Sequence, residues 1–157
     1  MPKVLITGSG RRMGKALAIA FAEKGWDIII HYYQSADGAE DTRKAVESYG
    51  AHAIIVKADI KQSNEVKEMF GKVAGEFGLP DVLVNNSGIY PERTPIGNIT
   101  DRLWDDVLDT NLRGSFYCSR EFARLAKPGS RIINIASLGA LEDRKSTRLN
   151  SSHGKLS

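Results

Sequence analysis

A glycine-containing segment near the start of the chain most constrains what this sequence can fold into. Residues 7–14 read Thr-Gly-Ser-Gly-Arg-Arg-Met-Gly. They follow the apolar run Val4-Leu5-Ile6 and precede apolar residues at helical spacing, namely Ala16, Leu17, Ala20 and Phe21. A strand, a glycine turn and a helix N-terminus bind anions, because free N–H groups and the helix dipole point at the ligand. Glycine also lets the backbone approach a pyrophosphate closely, so the segment predicts a dinucleotide-binding turn. An ordinary connection whose glycines only form the turn is the alternative.

Composition indicates one domain that lies in a reducing compartment. The chain has 157 residues, of which 41% are hydrophobic, and this suits a single core. No apolar run approaches the ~20 residues of a membrane span, and Met1-Pro2-Lys3 leads directly into a predicted strand, so we expect neither an anchor nor a signal peptide. The single cysteine, Cys118, excludes an intramolecular disulfide and favours the cytoplasm. We expect Cys118 to be a small buried side chain on a helix rather than a nucleophile.

The distribution of charge argues against a nucleic-acid partner. The net charge is +3, yet residues 143–157 carry four basic side chains against one acidic side chain, so residues 1–142 are neutral overall. A nucleic-acid-binding domain needs a basic excess.

The three histidines, His31, His52 and His153, are scattered and have no cysteine at zinc spacing, so we expect no metal site.

Short apolar runs alternate with amphipathic segments along the chain. The runs that predict strands are residues 4–7, 27–33, 52–57, 81–85 and 131–135. The segments that predict helices are residues 12–24, a stretch through Ala39, Thr42, Val46 and Tyr49, a stretch from a Ser63 cap through Phe77, and an interrupted stretch from a Thr100 cap through Phe122. Gly25 and Gly50 end the first two helices. The alternation predicts an α/β domain, a doubly wound parallel sheet of the Rossmann type with helices on both faces.

Polar groups directly follow four of the predicted strands. They are the glycine turn, Asp59-Ile60, residues 85–88 and Ala136-Ser137. Ligands of open α/β sheets bind beyond the carboxyl ends of the strands, so we expect these groups to meet at one rim and bind a cofactor. Taken singly, Asp59 is equally a cap or a turn residue, Asn85 is a strand-end residue that pairs with backbone, and Ser137 is a turn serine.

These motifs resemble those of the short-chain dehydrogenase/reductase family. The resemblance rests on Thr7-Gly8 through Gly14, Asn85-Asn86-Ser87-Gly88, Asn111 and Ile133-Asn134-Ile135-Ala136-Ser137, and it covers residues 3–142. The commonest glycine pattern of the family has a glycine where Arg12 stands, and the form Thr-Gly-x-x-x-Arg-x-Gly is similar to that of the pteridine-reductase-like branch. The resemblance implies five strands in the order 3-2-1-4-5, without the family's last strands. It also implies a parent protein that forms homodimers or homotetramers and binds a dinucleotide and a small carbonyl or alcohol substrate.

The resemblance further implies roles for individual residues. The pyrophosphate and the adenosine ribose would contact Gly8, Ser9, Arg12, Met13 and Gly14. Asp59, followed by Ile60, would hydrogen-bond the adenine, and Asn86, Ser87 and Gly88 would pass beside the cofactor riboses. Asn111 would hold a water in a proton relay, and Ser137 would donate a hydrogen bond to the substrate carbonyl.

The residues after the second strand favour NADP(H) over NAD(H). An NAD site usually places an Asp or Glu there to bind the ribose 2′-OH, whereas residues 31–35 read His-Tyr-Tyr-Gln-Ser and contain no acid. Arg11 and Arg12 can supply charge-assisted hydrogen bonds to a 2′-phosphate, and Gln34 and Ser35 can add neutral ones. Two solvated surface arginines are the alternative.

The tyrosine and lysine of the family are missing from their expected places. The resemblance implies a Tyr-x-x-x-Lys pair on the helix after Ser137, where the lysine lowers the pKa of the tyrosine. The corresponding positions hold Asn150 and Gly154, and no tyrosine follows Tyr117. Without this proton donor we expect the chain to be inactive as it stands.

The last residues differ in character from the rest of the chain. Residues 143–153 are similar to the translation of a common sequencing-library adapter, and the composition becomes basic there. We interpret residues 1–142 as an incomplete NAD(P)-binding Rossmann-like domain and residues 143–157 as a non-native tail, with a divergent basic natural tail as the alternative.

The expected function is that of an NAD(P)(H)-dependent oxidoreductase that reduces carbonyls or imines, or oxidises alcohols, present as an inactive fragment. A non-catalytic dinucleotide-binding or regulatory protein is the alternative.

Overall fold

A computed structural model describes residues 1–92 and 94–137, which form a parallel sheet flanked by helices. The strands of the described residues are β1 (Lys3–Ile6), β2 (Asp27–Tyr32), β3 (Ala53–Lys57), β4 (Val82–Asn85) and β5 (Arg131–Asn134). They lie in the order β3-β2-β1-β4-β5, and every neighbouring pair is parallel. The Rossmann-type fold and the strand order predicted from the sequence are therefore confirmed.

Helices connect the strands on both faces of the sheet. They are α1 (Arg12–Ala22), α2 (Ala36–Glu47), α3 (Ser63–Glu76), α4 (Asp101–Leu108) and α5 (Gly114–Leu125). A short 3-10 turn at Ile96–Asn98 precedes α4, and a π-helical segment at Asp109–Arg113 separates α4 from α5. The π segment is the interruption that the sequence predicted within the helical stretch after Thr100.

The core consists of two apolar layers, one on each face of the sheet. Leu5, Ile29 and Leu83 pack with residues of α3 and α5. Their neighbours in the same strands, among them Ile6 and Ile30, pack with residues of α1 and α2 on the opposite face. Successive side chains of a strand alternate between faces, so a strand covered on both faces must be apolar throughout.

Helix ends account for most of the differences between the predicted and observed elements. Thr100 caps α4 as predicted, since its side-chain oxygen accepts a hydrogen bond from the backbone N–H of Leu103 at 3.2 Å. The predicted Ser63 cap is wrong, because Ser63 is the first helical residue and its hydroxyl oxygen instead accepts a bond from Arg120 at 2.7 Å. Tyr49 was expected on the second helix, but it lies beyond the end of α2 and is exposed.

The predicted tail lies outside the described residues, and so do Asn150 and Gly154. Among the residues that the structure describes, no helix combines the length and the apolar content needed to cross a membrane.

Candidate functional site

A cleft of about 810 Å³ opens beyond the carboxyl ends of β1, β2, β3 and β4. Its volume lies within the range of small-molecule and cofactor sites, roughly 300–1,000 Å³. The residues that line it come from five segments of the chain: Gly8, Gly10, Arg11, Arg12, Met13 and Gly14; then His31, Tyr32, Tyr33, Gln34, Ser35, Ala36 and Asp37; then Asp59 and Lys61; then Asn86, Ser87, Gly88 and Ile89; then Asp106 and Thr110. Most of the predicted cofactor-binding residues thus meet at one rim.

The glycine turn has a backbone that side chains would not permit. Gly8 has a φ of +66°, in the left-handed region. A Cβ on Gly14 would overlap the carbonyl oxygen of Gly8 and lie 2.8 Å from the Cα of Ser9. The first N–H groups of α1 have no acceptor within the helix, and this end of the helix faces the cleft. The turn can therefore accept an anion at the positive end of α1.

Arg12 occupies a strained position in this turn. Its φ is +50°, which is uncommon for a residue with a side chain. The position is the one where the commonest form of the family motif has glycine, so the backbone conformation itself is consistent with that motif. Its exposed side chain lines the cleft next to Arg11, and together they place two cations at the cleft wall.

Ser9 supports the turn from below and does not line the cleft. Its hydroxyl donates to the carbonyl of Ile6 at 2.9 Å and accepts from the N–H of His31 at 3.1 Å. Its own N–H donates to the carbonyl of His31 at 3.0 Å. Ser9 is fully buried. The direct contact with pyrophosphate or ribose that the resemblance implied for Ser9 therefore needs correction, since its polar side-chain and N–H groups are directed into the protein.

His31 connects three strand ends beneath the cleft, a role that the sequence analysis missed. Its Nδ1 accepts from the N–H of Gly8 at 3.0 Å, and its Nε2 lies 3.0 Å from the carbonyl of Ala58, to which it donates. This pairing requires the neutral ring with its proton on Nε2. Burial lowers the pKa of His31 to about 4, against the opposing effects of the Ala58 carbonyl and of Asp59. The sequence did contain a signal for this role, because the polar His31 directly follows three isoleucines of a predicted strand.

The segment after β4 is fastened to the glycine turn through Thr7. The hydroxyl oxygen of Thr7 accepts from the N–H groups of Asn86 and Ser87, each at 2.9 Å. The amide nitrogen of Asn86 donates to the carbonyls of Thr7 at 2.8 Å and Gly8 at 3.3 Å. Residues 86–88 line the cleft as predicted, although the Asn86 side chain also holds the turn together.

Asn85 was expected to pair with backbone at the strand end, and the structure corrects this. Its side-chain nitrogen donates to the hydroxyl of Ser119 at 2.9 Å and to the side-chain oxygen of Asn134 at 2.8 Å. Asn85 therefore joins β4 to α5 and β5 through side chains, because its buried amide faces polar groups of both elements.

Asp59 and Ile60 differ in their access to the cleft. One carboxylate oxygen of Asp59 accepts from the N–H of Lys61 at 3.0 Å, so Asp59 shapes the turn after β3, and the residue also lines the cleft. The side chain of Ile60 is buried in the core, where it meets the position that a Cβ of Gly114 would occupy. Because this side chain is directed into the core, any hydrogen bond of Ile60 to the adenine would have to come from its backbone.

A carboxylate that the sequence analysis overlooked lies beside the predicted phosphate-binding groups. Gln34 and Ser35 line the cleft as predicted, but so does Asp37, on the first turn of α2. Residues 31–35, at the carboxyl end of β2 and just beyond it, contain no acid. Asp37 follows two residues later and is brought to the same wall by the start of the helix.

Asn111 and Ser137, the predicted catalytic residues, are not among the residues that line the described cleft, although Asn111 is bonded to Ile89, which does line it. The side chain of Asn111, in the π segment, accepts from the N–H of Ile89 at 2.8 Å and donates to its carbonyl at 2.9 Å. This pair of bonds ties the π segment to the loop after β4. Ser137 is exposed and follows β5, at the same rim of the sheet.

The remaining candidate groups have structural explanations. Cys118 is fully buried in the core, and burial raises its pKa to about 12, which confirms the expectation of an apolar role. Within residues 1–92 and 94–137, no group of three metal-ligating side chains comes together.

Comparisons with known proteins agree with this architecture. A family model described as enoyl-(acyl carrier protein) reductase matches residues 8–148. A 3-oxoacyl-[acyl-carrier-protein] reductase of Staphylococcus epidermidis is 35% identical over 136 residues, which cover 85% of this chain and 55% of the relative. A short-chain type dehydrogenase/reductase of Picea abies is 33% identical over 142 residues and is covered over 52% of its length.

Solved structures of short-chain dehydrogenases/reductases have a similar fold. A short-chain dehydrogenase/reductase from Serratia marcescens superposes with a TM-score of 0.85 at 30% identity, over 90% of this chain and 57% of that one. The chain thus spans about half the length of the curated relatives that it matches. The match over residues 8–148, together with the glycine turn and the strand order, establishes that the chain belongs to the short-chain dehydrogenase/reductase family.

Proposed function

We propose that this chain is the dinucleotide-binding part of an NAD(P)(H)-dependent oxidoreductase. The observation that carries the proposal is the cleft formed by the glycine turn, the segments after β2, β3 and β4, and the N-terminus of α1. A pyrophosphate suits the N-terminus of α1, because unpaired N–H groups and the helix dipole favour an anion there. Gly8, Gly10 and Gly14 line the cleft, and the absence of a side chain lets Gly10 lie against the start of α2 and Gly14 against the carbonyl of Gly8.

We use the order of the strands to propose where the adenosine half and the nicotinamide half of the dinucleotide lie in the cleft. The adenosine ribose of such cofactors lies after the second strand, which here is the wall formed by residues 33–37. Asp59 and Lys61, after β3, extend that wall outward from the centre of the sheet. The nicotinamide half then lies toward Asn86, Ser87 and Gly88, after β4.

The charges at the adenosine wall support a preference for NADP(H), with Asp37 as an opposing group. Arg11 and Arg12 provide two cations, and Gln34 and Ser35 provide neutral hydrogen-bonding groups. The carboxylate of Asp37 repels a 2′-phosphate and can accept from a ribose 2′-OH. We propose that the arginines outweigh the single acid, so that NADP(H) binds more tightly than NAD(H).

The reaction that we propose for the parent protein is reduction of a carbonyl or imine, or the reverse oxidation of an alcohol. A bound nicotinamide supplies or accepts the hydride in such reactions. Ser137 would donate a hydrogen bond to the substrate oxygen. Asn111 uses one side-chain N–H to hold the loop at Ile89, and its second N–H would hold a water for proton transfer. The Staphylococcus relatives are named for reduction of 3-oxoacyl groups on an acyl carrier protein, and this suggests a 3-oxoacyl thioester as the first substrate to try.

We propose that the chain as given binds the dinucleotide without turnover. The position expected for the catalytic tyrosine holds Asn150, and the position expected for its lysine holds Gly154. A hydroxyl proton donor tuned by a neighbouring cation would then be absent from the site. In keeping with this, we propose that residues 1–142 are the domain and that residues 143–157 are a non-native tail.

The test combines a binding measurement with an activity measurement on the same sample. Fluorescence titration with NADPH should give saturable binding that 2′-phospho-AMP competes away, and NADH should bind more weakly. Consumption of NADPH with a 3-oxoacyl thioester should not exceed the rate without protein. Absence of saturable binding would contradict the proposed function, whereas measurable turnover would contradict only the proposed inactivity.

The alternative function is that of a non-catalytic dinucleotide-binding protein, and the residues at positions 150 and 154 favour it. It predicts the same binding result. It differs in that the natural protein, with its native C-terminal sequence, would also show no NADPH consumption.

A further inference from the structure

One ion pair spans the outer end of the cleft and has no part in the roles described above. The Nζ of Lys61 donates to the Oδ1 of Asp106 at 3.2 Å. Lys61 lies directly after β3, Asp106 lies on α4, and both line the cleft. Their side chains are 30% and 44% exposed, so the pair is partly shielded from water.

The surroundings of Lys61 keep it charged at neutral pH. The hydrogen bond that Lys61 donates to Asp106 is the largest influence and raises the pKa of Lys61, while burial lowers it. Asp59 and Tyr33, which line the same end of the cleft, also raise the pKa. Lys61 is therefore a cation that interacts both with Asp106 of α4 and with Asp59 and Tyr33 at this end of the cleft.

Helix α4 has little apolar packing, because none of its residues is buried and, of its apolar residues, Leu103 and Val107 are half-buried. Its Thr100 cap is a bond within the helix start. The Lys61–Asp106 pair instead ties the outward side of α4 to the segment after β3, 45 residues away in sequence. The pair thus adds a polar contact that holds α4 at the end of the cleft that Asp59 and Tyr33 also line.

We propose that the Lys61–Asp106 pair is a positioning bridge that fixes the wall against which the adenosine half of the dinucleotide packs. This inference rests on the proposed function, since it assigns a role within the same cleft. Lys61 directly follows β3 and Asp106 reaches it from α4, so the bridge lies at the β3 end of the cleft, whereas the nicotinamide half is assigned to the segment after β4. Loss of the bridge should therefore weaken binding of the adenosine half selectively.

The experiment compares Lys61→Met, Asp106→Asn and the charge-exchanged double variant Lys61→Asp/Asp106→Lys with the unchanged chain. The affinities of NADPH, of 2′-phospho-AMP and of reduced nicotinamide mononucleotide are measured for each by competition titration. Each single variant should bind NADPH and 2′-phospho-AMP about 3- to 5-fold more weakly, as expected for one partly exposed ion pair. The affinity of nicotinamide mononucleotide should not change, and the double variant should recover most of the loss.

A matched control is Lys72→Met, which removes the exposed Lys72–Glu76 pair of α3. It should leave all three affinities unchanged. Equal weakening of both halves of the dinucleotide, or no weakening of 2′-phospho-AMP binding in the single variants, would overturn the inference. If the unchanged chain binds none of the three compounds, the proposed function fails and this inference fails with it, so the two failures are distinguishable.

Discussion

The two sides of the sheet differ sharply in how well they are covered. In β1, Leu5 is 0% exposed, and the apolar residues of β2 and β4 are also buried. In β5, by contrast, Ile133 is 42% exposed, and all four residues of the strand are accessible. Helix α4, on the same side, buries no residue, whereas α1 buries Gly14, Ala18 and Ala22.

The difference separates the binding part of the cleft from the proposed catalytic part. The glycine turn, His31 and Thr7 belong to the covered side, and hydrogen bonds connect them to one another or to the neighbouring strands. Ser137 follows β5 on the open side, and Asn111 lies in the π segment next to α4. We infer that the proposed dinucleotide-binding groups lie in a well-packed part of the sheet, whereas Asn111 and Ser137, which we propose to orient the substrate, lie where the described residues give the least support.

The largest effect on dinucleotide binding is expected from closing the space in the glycine turn. Gly14→Ala places a methyl group against the carbonyl oxygen of Gly8, which is backbone and cannot move without deforming the turn. We expect NADPH affinity to fall at least about 100-fold, or about 2.7 kcal/mol. The titration described above measures it. Gly71→Ala is the control, because a Cβ there meets nothing within 4 Å and should leave binding intact. Unchanged affinity in Gly14→Ala would place the pyrophosphate elsewhere.

A matched pair of aliphatic truncations tests the comparison of the two sides directly. Leu5→Ala removes buried methyl groups from the centre of the core and should cost about 3 kcal/mol of unfolding free energy. Ile133→Ala removes groups that are already half exposed and should cost less than about 1 kcal/mol. Urea unfolding followed by circular dichroism gives both values. Similar losses for the two variants would show that β5 is as well packed in solution as β1.

Titration of His31 should make the covered side sensitive to acid. The unfolded chain binds a proton at His31 near the ordinary value of 6.5, whereas the folded protein resists protonation until the pKa of about 4. The unfolded state therefore binds more protons between these values, and unfolding free energy falls as pH decreases from about 6.5 to about 4. The contribution of His31 to this loss should be about 3 kcal/mol.

The variant His31→Gln isolates that contribution. A glutamine can accept from Gly8 and donate to Ala58 without titrating, so its unfolding free energy should depend less on pH across that window. His52→Gln is the control, since the side chain of His52 is 80% exposed. A pH dependence in His31→Gln identical to that of the unchanged chain would refute the assignment.

The smallest of these effects concerns cofactor choice at the adenosine wall. Asp37→Asn removes the carboxylate near the proposed 2′-phosphate position. The ratio of NADPH to NADH affinity should rise about fivefold, since two unit charges near 4 Å in water interact by about 1 kcal/mol. Asp41→Asn, on an exposed position of the same helix, should leave the ratio unchanged. A ratio that does not respond to Asp37→Asn would remove this carboxylate from the account of specificity.

The sequence predicted those features that depend on neighbouring residues. The order of strands and helices follows from apolar periodicity and glycine stops, and the Thr100 cap follows from a local side-chain pattern. The glycine turn and residues 86–88 were placed at the cleft because parallel strands bring their carboxyl ends to one edge. Ser63 was misjudged because its hydroxyl is engaged by Arg120, 57 residues away.

The features that the sequence did not reveal require three-dimensional neighbours. His31 acquires its role from Gly8 and Ala58, which belong to two other strand connections. The direction of the Ser9 hydroxyl depends on how β2 lies beside the turn. Asp37 enters the cleft only because α2 begins at Ala36 and turns its first residues toward the glycine turn. In each case the position of a residue along the chain does not reveal its neighbour, because packing in three dimensions brings the two together.

The most direct test of the central claim is to map bound NADPH onto the backbone by two-dimensional 15N–1H NMR of the whole chain. If the cleft is the dinucleotide site, saturating NADPH should shift the amide signals of residues 8–14, 33–37 and 59–61 most, and signals at the exposed Tyr49 should stay in place. Saturable shifts that cluster away from these segments, or no shifts at millimolar NADPH, would contradict the claim.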